Sequence, residues 1–366
     1  MSNKKQKNGK IELLRFFFCM SVLLYHLYND YSSANLMLFK GVTMFTEGSI
    51  GVQFFFLTSG YLTAMGIYKK LQANPLSLEN STWTFMKRKI LSFLPYHILT
   101  IICVIAFRFF FLHENPITVI INGLPNMFFL QMTGLPGKNL LSVEWYISSM
   151  LMALLIIYPI CKKYYSVFSR VVAPLLGSVL VGFLVKTNGS MGSPKNWIGF
   201  TYAGNFMALG CICLGVFSFE LIRQLKENGF FENKRLFITI AEIIGYFLVL
   251  VYMVSDKTKP EYGGIVTFLL CILVGISFSE EAYGQKFYNN RFFCFLGKFS
   301  LPVYLTQNLV RAFFGWLDLD ARLEVVISLE ILTSFIFSFA LMLIVDFWYR
   351  FKDRRSKKLP PEALAG

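Results

Sequence analysis

An arginine and a histidine interrupt one of the most apolar stretches of the chain. Arg15 and His26 lie eleven residues apart within ELLRFFFCMSVLLYHL. In a helix, at about 100° per residue, this spacing puts both side chains on nearly one face, roughly 16 Å apart along the axis. Arginine binds phosphate through charge-assisted hydrogen bonds, and histidine transfers protons near neutral pH. Taken alone, the pair favours a simpler interpretation, in which each side chain reaches the nearer membrane surface.

The other polar groups of the apolar segments fall at two depths in the predicted helices. The cations at the depth of Arg15 are Arg88, Lys89 and Lys298. The groups at the depth of His26 are Glu144 and Gln307. Clustered cations suit a polyanionic cytosolic ligand such as a nucleotide phosphate, and a histidine oriented by a carboxylate suits proton transfer. We therefore expect ligand binding at one depth and chemistry at the other, provided that the helices meet around one cavity.

The elements that position these residues are predicted to be transmembrane helices. Of the 366 residues, 55% are hydrophobic and 15% are charged, against roughly 25% charged in a soluble domain. Apolar runs of spanning length recur, near residues 11–28, 48–67, 90–112, 140–161, 171–186, 204–222, 236–255, 263–279, 292–314 and 324–349. The sequence predicts an all-α polytopic membrane protein of about ten helices, with a transmembrane domain over 1–350 and a basic tail over 351–366. The first apolar run exceeds signal-peptide length, so we expect no cleaved signal peptide.

The net charge of +14 is explained by topology rather than by nucleic acid. With the N-terminus inside, the predicted cytoplasmic segments hold 24 Lys and Arg residues, and the external segments hold seven. This asymmetry is typical of ten helices with both termini cytoplasmic. Binding of anionic lipid headgroups is a secondary interpretation of the same charge. No nucleic-acid partner is expected.

Three further features bear on the site. The seven cysteines form no CxxC pair, and no histidine lies near them at ligand spacing, so neither a metal site nor a disulfide framework is predicted.

Residues 117–132 form a half-length apolar piece, broken by Gly123 and Pro125, which is typical of a re-entrant or interfacial segment. Residues 187–203 carry Trp197 and Tyr202, and form either a flexible connection with interfacial aromatics or a lip that stacks on sugars.

Four motifs, in this order along the chain, resemble acyltransferase family 3. This family comprises bacterial integral-membrane O-acyltransferases that modify surface polysaccharides. The matching residues are Arg15 and His26; Gly51, Val52, Phe55, Phe56, Ser59, Gly60 and Tyr61; Ser142, Val143 and Glu144; and Leu296, Gly297, Ser300, Tyr304 and Leu305. Each motif is weak by itself, but four in order across ten predicted spans are fairly specific.

The resemblance implies a reaction and a location. It implies a cytosolic acyl-CoA, typically acetyl-CoA, as donor substrate, with no permanently bound cofactor. The acceptor would be a hydroxyl of a cell-surface polysaccharide or of its lipid-linked precursor, and the protein would span the bacterial cytoplasmic membrane among its lipids. The resemblance also implies that Arg15 and His26 are required.

Combined with the two depths, the resemblance yields a mechanism. The cations Arg15, Arg88, Lys89 and Lys298 would hold the CoA phosphates. His26, oriented by Glu144, would act as general base or accept the acyl group itself. Gln307 would position the acceptor or donate to the developing oxyanion.

The chain departs from the family pattern at two places, and a rival class remains. Gln307 stands where the family usually has a histidine, and glutamine does not titrate near neutral pH. Before Pro95, where the family often has two arginines, the chain has Lys89 and Ser92.

A transporter also fits ten helices with intramembrane charges, although no internal repeat supports it. An inactive family member that acts in a complex is the third hypothesis.

Overall fold

Helices dominate the described part of the chain. The structure, a computed structural model, describes residues 8–31, 37–39, 42–43, 45–73, 81–255, 259, 261–319 and 322–356. The α-helices in these ranges are α1 (Gly9–Asp30), α2 (Ile50–Ala73), α3 (Ser81–Phe110), α4 (Pro116–Asn122), α5 (Leu124–Met127), α6 (Trp145–Lys163), α7 (Tyr165–Val167), α8 (Ala173–Asn188), α9 (Ala203–Glu227), α10 (Arg235–Val254), α11 (Tyr262–Ser279), α12 (Gln285–Tyr288), α13 (Arg291–Leu317) and α14 (Leu323–Ser356). A 3₁₀ turn at Ser142–Glu144 precedes α6, and a π-helical turn at Phe168–Val172 joins α7 to α8.

Two short antiparallel hairpins complete the described elements. They pair β1 (Met37–Phe39) with β2 (Val42–Thr43), and β3 (Trp197–Ile198) with β4 (Thr201–Tyr202). In the second hairpin Trp197 lies opposite Tyr202, and their rings meet edge to face with centroids 5.0 Å apart. The segment 187–203 is therefore ordered by a hairpin at its end.

The predicted all-α polytopic class is confirmed. Within the described residues, nine helical segments are long and apolar enough to cross a membrane. The tenth predicted span, 292–314, is also a helix: α13 has 27 residues, but Lys298, Gln307 and Asn308 lower its hydropathy below that of the other nine. Each of the ten predicted spans therefore coincides with a long helix.

Several helix ends lie beyond the predicted spans. The helix α3 begins at Ser81 rather than near residue 90, and α2 continues to Ala73. Hydropathy detects only the apolar part of a helix, whereas both helices continue into polar sequence. The helix α14 likewise passes the predicted domain boundary at 350 and ends at Ser356, and residues 357–366 of the predicted tail lie outside the described residues.

Small residues allow the central helices to approach closely. The helices α2 and α9 pack together where Gly60 faces Gly215. A Cβ atom at position 60 would lie 2.1 Å from Ile212 O, and one at position 215 would lie 2.1 Å from Leu57 O. Only glycine fits at both positions, which is the usual reason for small residues between membrane helices.

Buried charges at the beginning of α1 find partners on other helices. Lys10 Nζ lies 2.7 Å from Glu242 Oε2 on α10, and both side chains are buried. Ser277 Oγ on α11 donates to the other carboxylate oxygen of Glu242, at 2.6 Å. This pair supplies the partner of Glu242 that the sequence alone does not identify. Below, the end of the bundle at which α1 begins is called the lower end, and the opposite end is called the upper end.

Candidate active site

His26 lines a polar cavity at the upper end of the bundle. This upper cavity has a volume of about 230 Å³. Its walls come from α1, the beginning of α2, the beginning of α6, the segment 191–196 and α13. The side chains with polar groups in these walls are Tyr25, His26, Ser49, Gln53, Ser142, Trp145, Ser193, Lys195, Asn196 and Tyr304. The histidine predicted to perform the chemistry therefore faces a space that a ligand can occupy.

The three residues of the Ser-Val-Glu motif form one 3₁₀ turn and contact three different parts of the structure. Ser142 lines the upper cavity, and its Oγ accepts a hydrogen bond from Asn308 Nδ2. The carbonyl of Val143 accepts a hydrogen bond from Tyr304 Oη at 2.8 Å. The Glu144 side chain points away from the cavity, towards α3. The motif thus ties α13 to the beginning of α6 beside His26.

The hypothesis that Glu144 orients His26 is not supported by this geometry. Glu144 Oε1 lies 2.5 Å from Nδ1 of His97, and both side chains are buried. The tight turn at Ser142–Glu144 directs the carboxylate at α3, so it does not reach α1. Nε2 of His97 lies 3.1 Å from the carbonyl of Met127 in the half-length apolar segment. His97 was missed in the sequence, although an ionisable residue inside an apolar run is a signal that could have found it.

Gln307 lies outside the upper cavity walls. It is fully buried in α13, and its Nε2 donates to the carbonyl of Tyr304 in its own helix at 3.0 Å. Its Oε1 has no hydrogen-bond partner among the residues that the structure describes. The neighbouring residue Tyr304, one turn earlier, lines the cavity instead. The predicted contact between Gln307 and an acceptor would require the helix or the side chain to move.

Cations line a second cavity near the lower end. This lower cavity, of about 380 Å³, lies between α2, α3 and α6. Its charged lining residues are Lys70, Arg88 and Lys89, and Ser92 lies beside them. Within the described residues, none of these three cations forms an ion pair, and no carboxylate lines the cavity. Unpaired cations in a cleft favour an anionic ligand.

Arg15 lies close to these cations without lining the lower cavity. It is near enough to Lys89 for the two like charges to interact. Its Nη1 lies 3.4 Å from Glu12 Oε1, and about a third of its side chain is exposed (34%). Glu12 itself packs onto α13, where a Cβ atom at Gly297 would lie 1.9 Å from Glu12 Oε2. The glycine of the Leu-Gly motif therefore makes room for the carboxylate that holds Arg15.

Lys298 is not part of the cationic cluster of the lower cavity. Its Nζ lies 2.6 Å from both carboxylate oxygens of Asp346 on α14. Lys298 does not line the lower cavity, and its role in donor binding stays a prediction. Lys70 lines the lower cavity beside Arg88 and Lys89. It could not be distinguished in the sequence, because a lysine at the end of an apolar helix is usually a topology signal.

A layer of aromatic rings separates the two cavities. Phe55 and Phe56 of α2 lie between Gln53 in the upper cavity and Leu62 in the lower one. The ring centroids of Phe56 and Tyr146 are 4.7 Å apart, and those of Phe55 and Tyr304 are 6.3 Å apart. The Trp145 ring also belongs to this layer, and its centroid lies 6.0 Å from that of Phe56. A ligand that reaches from the lower cavity to His26 must pass this layer.

A third, smaller cavity opens beside the upper one. This side cavity has a volume of about 170 Å³ and shares Trp145 and Lys195 with the upper cavity. The segment between α3 and α6 forms one wall, where α4 and α5 are the two short helices broken at Gly123. Lys195 is exposed at the shared mouth, yet enough protein surrounds its ammonium that desolvation lowers the pKa of Lys195.

These features define a class: a polytopic membrane protein with one cation-lined cavity and one histidine-lined cavity at opposite ends of its helix bundle. The chain matches the family model of the acyltransferase domain over residues 8–349, which is nearly its whole length. The chain therefore belongs to acyltransferase family 3, and the resemblance seen in its four motifs is confirmed. Comparison with curated proteins and with solved structures gives no significant match.

Proposed function

We propose that this membrane acyltransferase moves an acyl group from cytosolic acyl-CoA, typically acetyl-CoA, to a hydroxyl of a cell-surface polysaccharide or of its lipid-linked precursor. The observation that carries the proposal is the position of His26 in the wall of the upper cavity, while Arg15 of the same helix lies close to the cations of the lower cavity. One helix thus connects an anion-binding end to a proton-transfer end.

The lower cavity supplies donor binding. Lys70, Arg88 and Lys89 would hold the CoA phosphates, since Arg and Lys are the usual partners of phosphate oxygens. Arg15 adds a further positive charge beside Lys89. The long pantetheine arm would then pass the aromatic layer and bring the thioester to the upper cavity.

The upper cavity supplies the chemistry. His26 takes the proton of the acceptor hydroxyl as the hydroxyl oxygen attacks the thioester carbonyl. The carbon–sulfur bond then breaks, and His26 returns the proton to the leaving CoA thiolate. Ser142 in the same wall can donate its hydroxyl proton to the carbonyl oxygen and so stabilise the negative charge that develops there.

The test compares His26→Asn with Arg15→Gln in purified protein. Transfer of radiolabelled acetyl groups to the host cell's envelope glycans is measured, together with acetyl-CoA binding by calorimetry. We expect His26→Asn to lower turnover by about 10²–10⁴-fold while acetyl-CoA still binds, which is the usual effect of losing a general base. We expect Arg15→Gln to raise the KM for acetyl-CoA by about one to two orders of magnitude, the size of a charge-assisted contact.

His113→Asn is the matched control, because His113 is exposed beyond the end of α3 and lines neither cavity. This variant should leave both the turnover and the KM for acetyl-CoA unchanged. If His26→Asn turns over at the parent rate, or loses acetyl-CoA binding instead of turnover, the proposed roles of the two ends are wrong. A transporter neither transfers the acyl group nor hydrolyses acyl-CoA, so the absence of both activities from the parent protein would favour that rival hypothesis.

A further inference from the structure

The side cavity is lined by positive charge and by hydrogen-bond donors. Lys138 and Lys195 both line it, and neither forms an ion pair within the described part of the chain. Among the described residues, no Asp or Glu side chain lines this cavity or the upper cavity. The two neighbouring cavities, as far as the structure describes them, therefore offer cations to a ligand without a carboxylate that would repel an anion.

A buried amide adds an unused donor to the same wall. Asn126 is 1% exposed, and its Oδ1 accepts a hydrogen bond from Leu140 N while its Nδ2 donates to Gln131 Oε1. The oxygen of Gln131 is therefore occupied, and its buried Nε2 has no hydrogen-bond partner in the described part of the chain. A buried N–H group without a partner costs free energy, so a bound acceptor atom would stabilise this arrangement.

Aromatic rings make the same cavity suitable for a sugar. Trp145 lines both cavities, and Tyr202 of the β3–β4 hairpin lines the side cavity. Aromatic side chains supply large contact surfaces with a polar tip. Trp145 and Lys195 lie in the walls of both cavities, so the side cavity is the neighbour of the cavity that contains His26.

The placement of these lysines is unusual for the chain. Only seven of its 35 Lys and Arg residues fall in the predicted external segments, as the positive-inside rule requires. Lys138 and Lys195 are two of the seven, and both lie on the side cavity. The positive-inside rule therefore does not account for their position on the side cavity.

From these observations we infer that the acceptor carries a negative charge on the sugar unit next to the one that is acylated, and that the side cavity binds this charge between Lys138 and Lys195. The inference rests on the proposed function and narrows its acceptor to an anionic glycan. The charge is a carboxylate of a uronic acid or a phosphate, since both accept charge-assisted hydrogen bonds from lysine.

The experiment uses the full chain and the host cell's own envelope glycans. Oligosaccharides released from the envelope are separated by anion exchange into a neutral and an acidic fraction, and each is offered with radiolabelled acetyl-CoA. We expect label in the acidic fraction. Reduction of carboxyl groups should abolish acceptor activity if the charge is a uronic acid, and cleavage of phosphate esters should abolish it if the charge is a phosphate.

Three variants connect this preference to the side cavity. Lys138→Gln and Lys195→Gln should each raise the KM for the acidic acceptor about tenfold or more, the effect of one charge-assisted contact, and should leave acetyl-CoA binding unchanged. Lys186→Gln is the matched control, because Lys186 is an exposed lysine at the upper end of α8 outside both cavities. It should have the parent KM.

The outcomes separate this inference from the proposed function. Equal label in both fractions, or an unchanged acceptor KM in both lysine variants, overturns the anionic acceptor and leaves acyl transfer to a glycan intact. Absence of label from both fractions, while acetyl-CoA still binds, overturns the proposed glycan acceptor and this inference with it.

Discussion

Both ring nitrogens of His97 face oxygen atoms, Glu144 Oε1 on one side and the Met127 carbonyl on the other. A neutral imidazole carries one N–H, so it can donate to only one of them. Either His97 is protonated and paired with the Glu144 carboxylate, or a protonated Glu144 donates to Nδ1. In both cases one proton lies between Glu144 Oε1 and His97 Nδ1. The other ring nitrogen, Nε2, donates a hydrogen bond to the Met127 carbonyl in the segment that lines the side cavity. His97 is therefore a positioning residue in our interpretation, not a catalytic one.

Replacing one member of the His97–Glu144 pair should lower the free energy of unfolding much more than replacing both. We expect His97→Leu to lower the free energy of unfolding by about 3–5 kcal/mol, because it leaves Glu144 buried without a partner. The double variant His97→Leu/Glu144→Leu should recover most of that loss, since two apolar side chains replace the pair. Denaturant unfolding in detergent measures both values. If the two single losses simply add in the double variant, the pair is not coupled.

Donor binding should depend on the cations of the lower cavity, and not on every cation that was predicted at the depth of Arg15. We expect Arg88→Gln and Lys89→Gln each to raise the KM for acetyl-CoA by about tenfold or more, since a charge-assisted contact contributes roughly 1.5–3 kcal/mol. Lys298→Gln serves as the control, because its charge is already paired with Asp346. Steady-state kinetics at saturating acceptor measure the three values. A larger KM effect at Lys298 than at Lys89 would contradict this assignment.

The sequence predicted the members of the site better than their contacts. Arg15 and His26 were identified because ionisable groups are rare in apolar segments, and Arg88 and Lys89 because they lie at the cytoplasmic start of the third predicted helix. Their arrangement could not be predicted, since which helix faces which depends on packing between distant segments. Glu144 was paired with His26 on depth alone, whereas the 3₁₀ turn directs it to His97. Lys195 lies in a loop without periodicity, so nothing in the sequence connected it to His26.

At the level of the helices, the contact between α2 and α9 depends on glycine. We expect Gly60→Ala to lower the free energy of unfolding by about 1–3 kcal/mol, the usual cost of overpacking, because the added Cβ would collide with backbone that cannot rotate away. Gly182→Ala in α8 is the matched control: a Cβ atom there meets nothing within 4 Å, and alanine favours the helix. Equal stability of the two variants in a thermal unfolding assay would show that α2 and α9 can separate at little cost.

The helices themselves were the most predictable part of the structure. Apolar length alone located ten helices, because a membrane span must bury about 20 residues in hydrocarbon. The ends of α2, α3 and α14 were misjudged, since polar helical turns beyond the membrane have no hydropathy signal. The two short helices α4 and α5 agree with the expected half-length segment, where Gly123 and Pro125 interrupt the apolar run.

Across the whole molecule, the proposed reaction fixes which end must face the cytosol. Acyl-CoA is made in the cytosol, so the lower cavity has to open there and the upper cavity has to open to the other side. The distribution of Lys and Arg along the sequence predicts the same orientation through the positive-inside rule. The aromatic layer of Phe55, Phe56, Trp145, Tyr146 and Tyr304 then lies between the two compartments. The acyl group and the pantetheine arm that carries it, rather than the whole donor, would have to cross this layer.

The orientation can be tested with two engineered cysteines at opposite ends of the bundle. Asn188 ends α8 at the upper end, and Asn228 follows α9 at the lower end. We expect a membrane-impermeant thiol reagent added to intact cells to label Asn188→Cys and not Asn228→Cys. The native cysteines give little background, because five of the seven are buried, and replacing the half-buried Cys103 and Cys294 by serine reduces it further. After permeabilisation both engineered sites should react. Labelling of Asn228→Cys alone in intact cells would place the cation-lined cavity outside, where it could not receive cytosolic acyl-CoA, and would overturn the division of roles between Arg15 and His26.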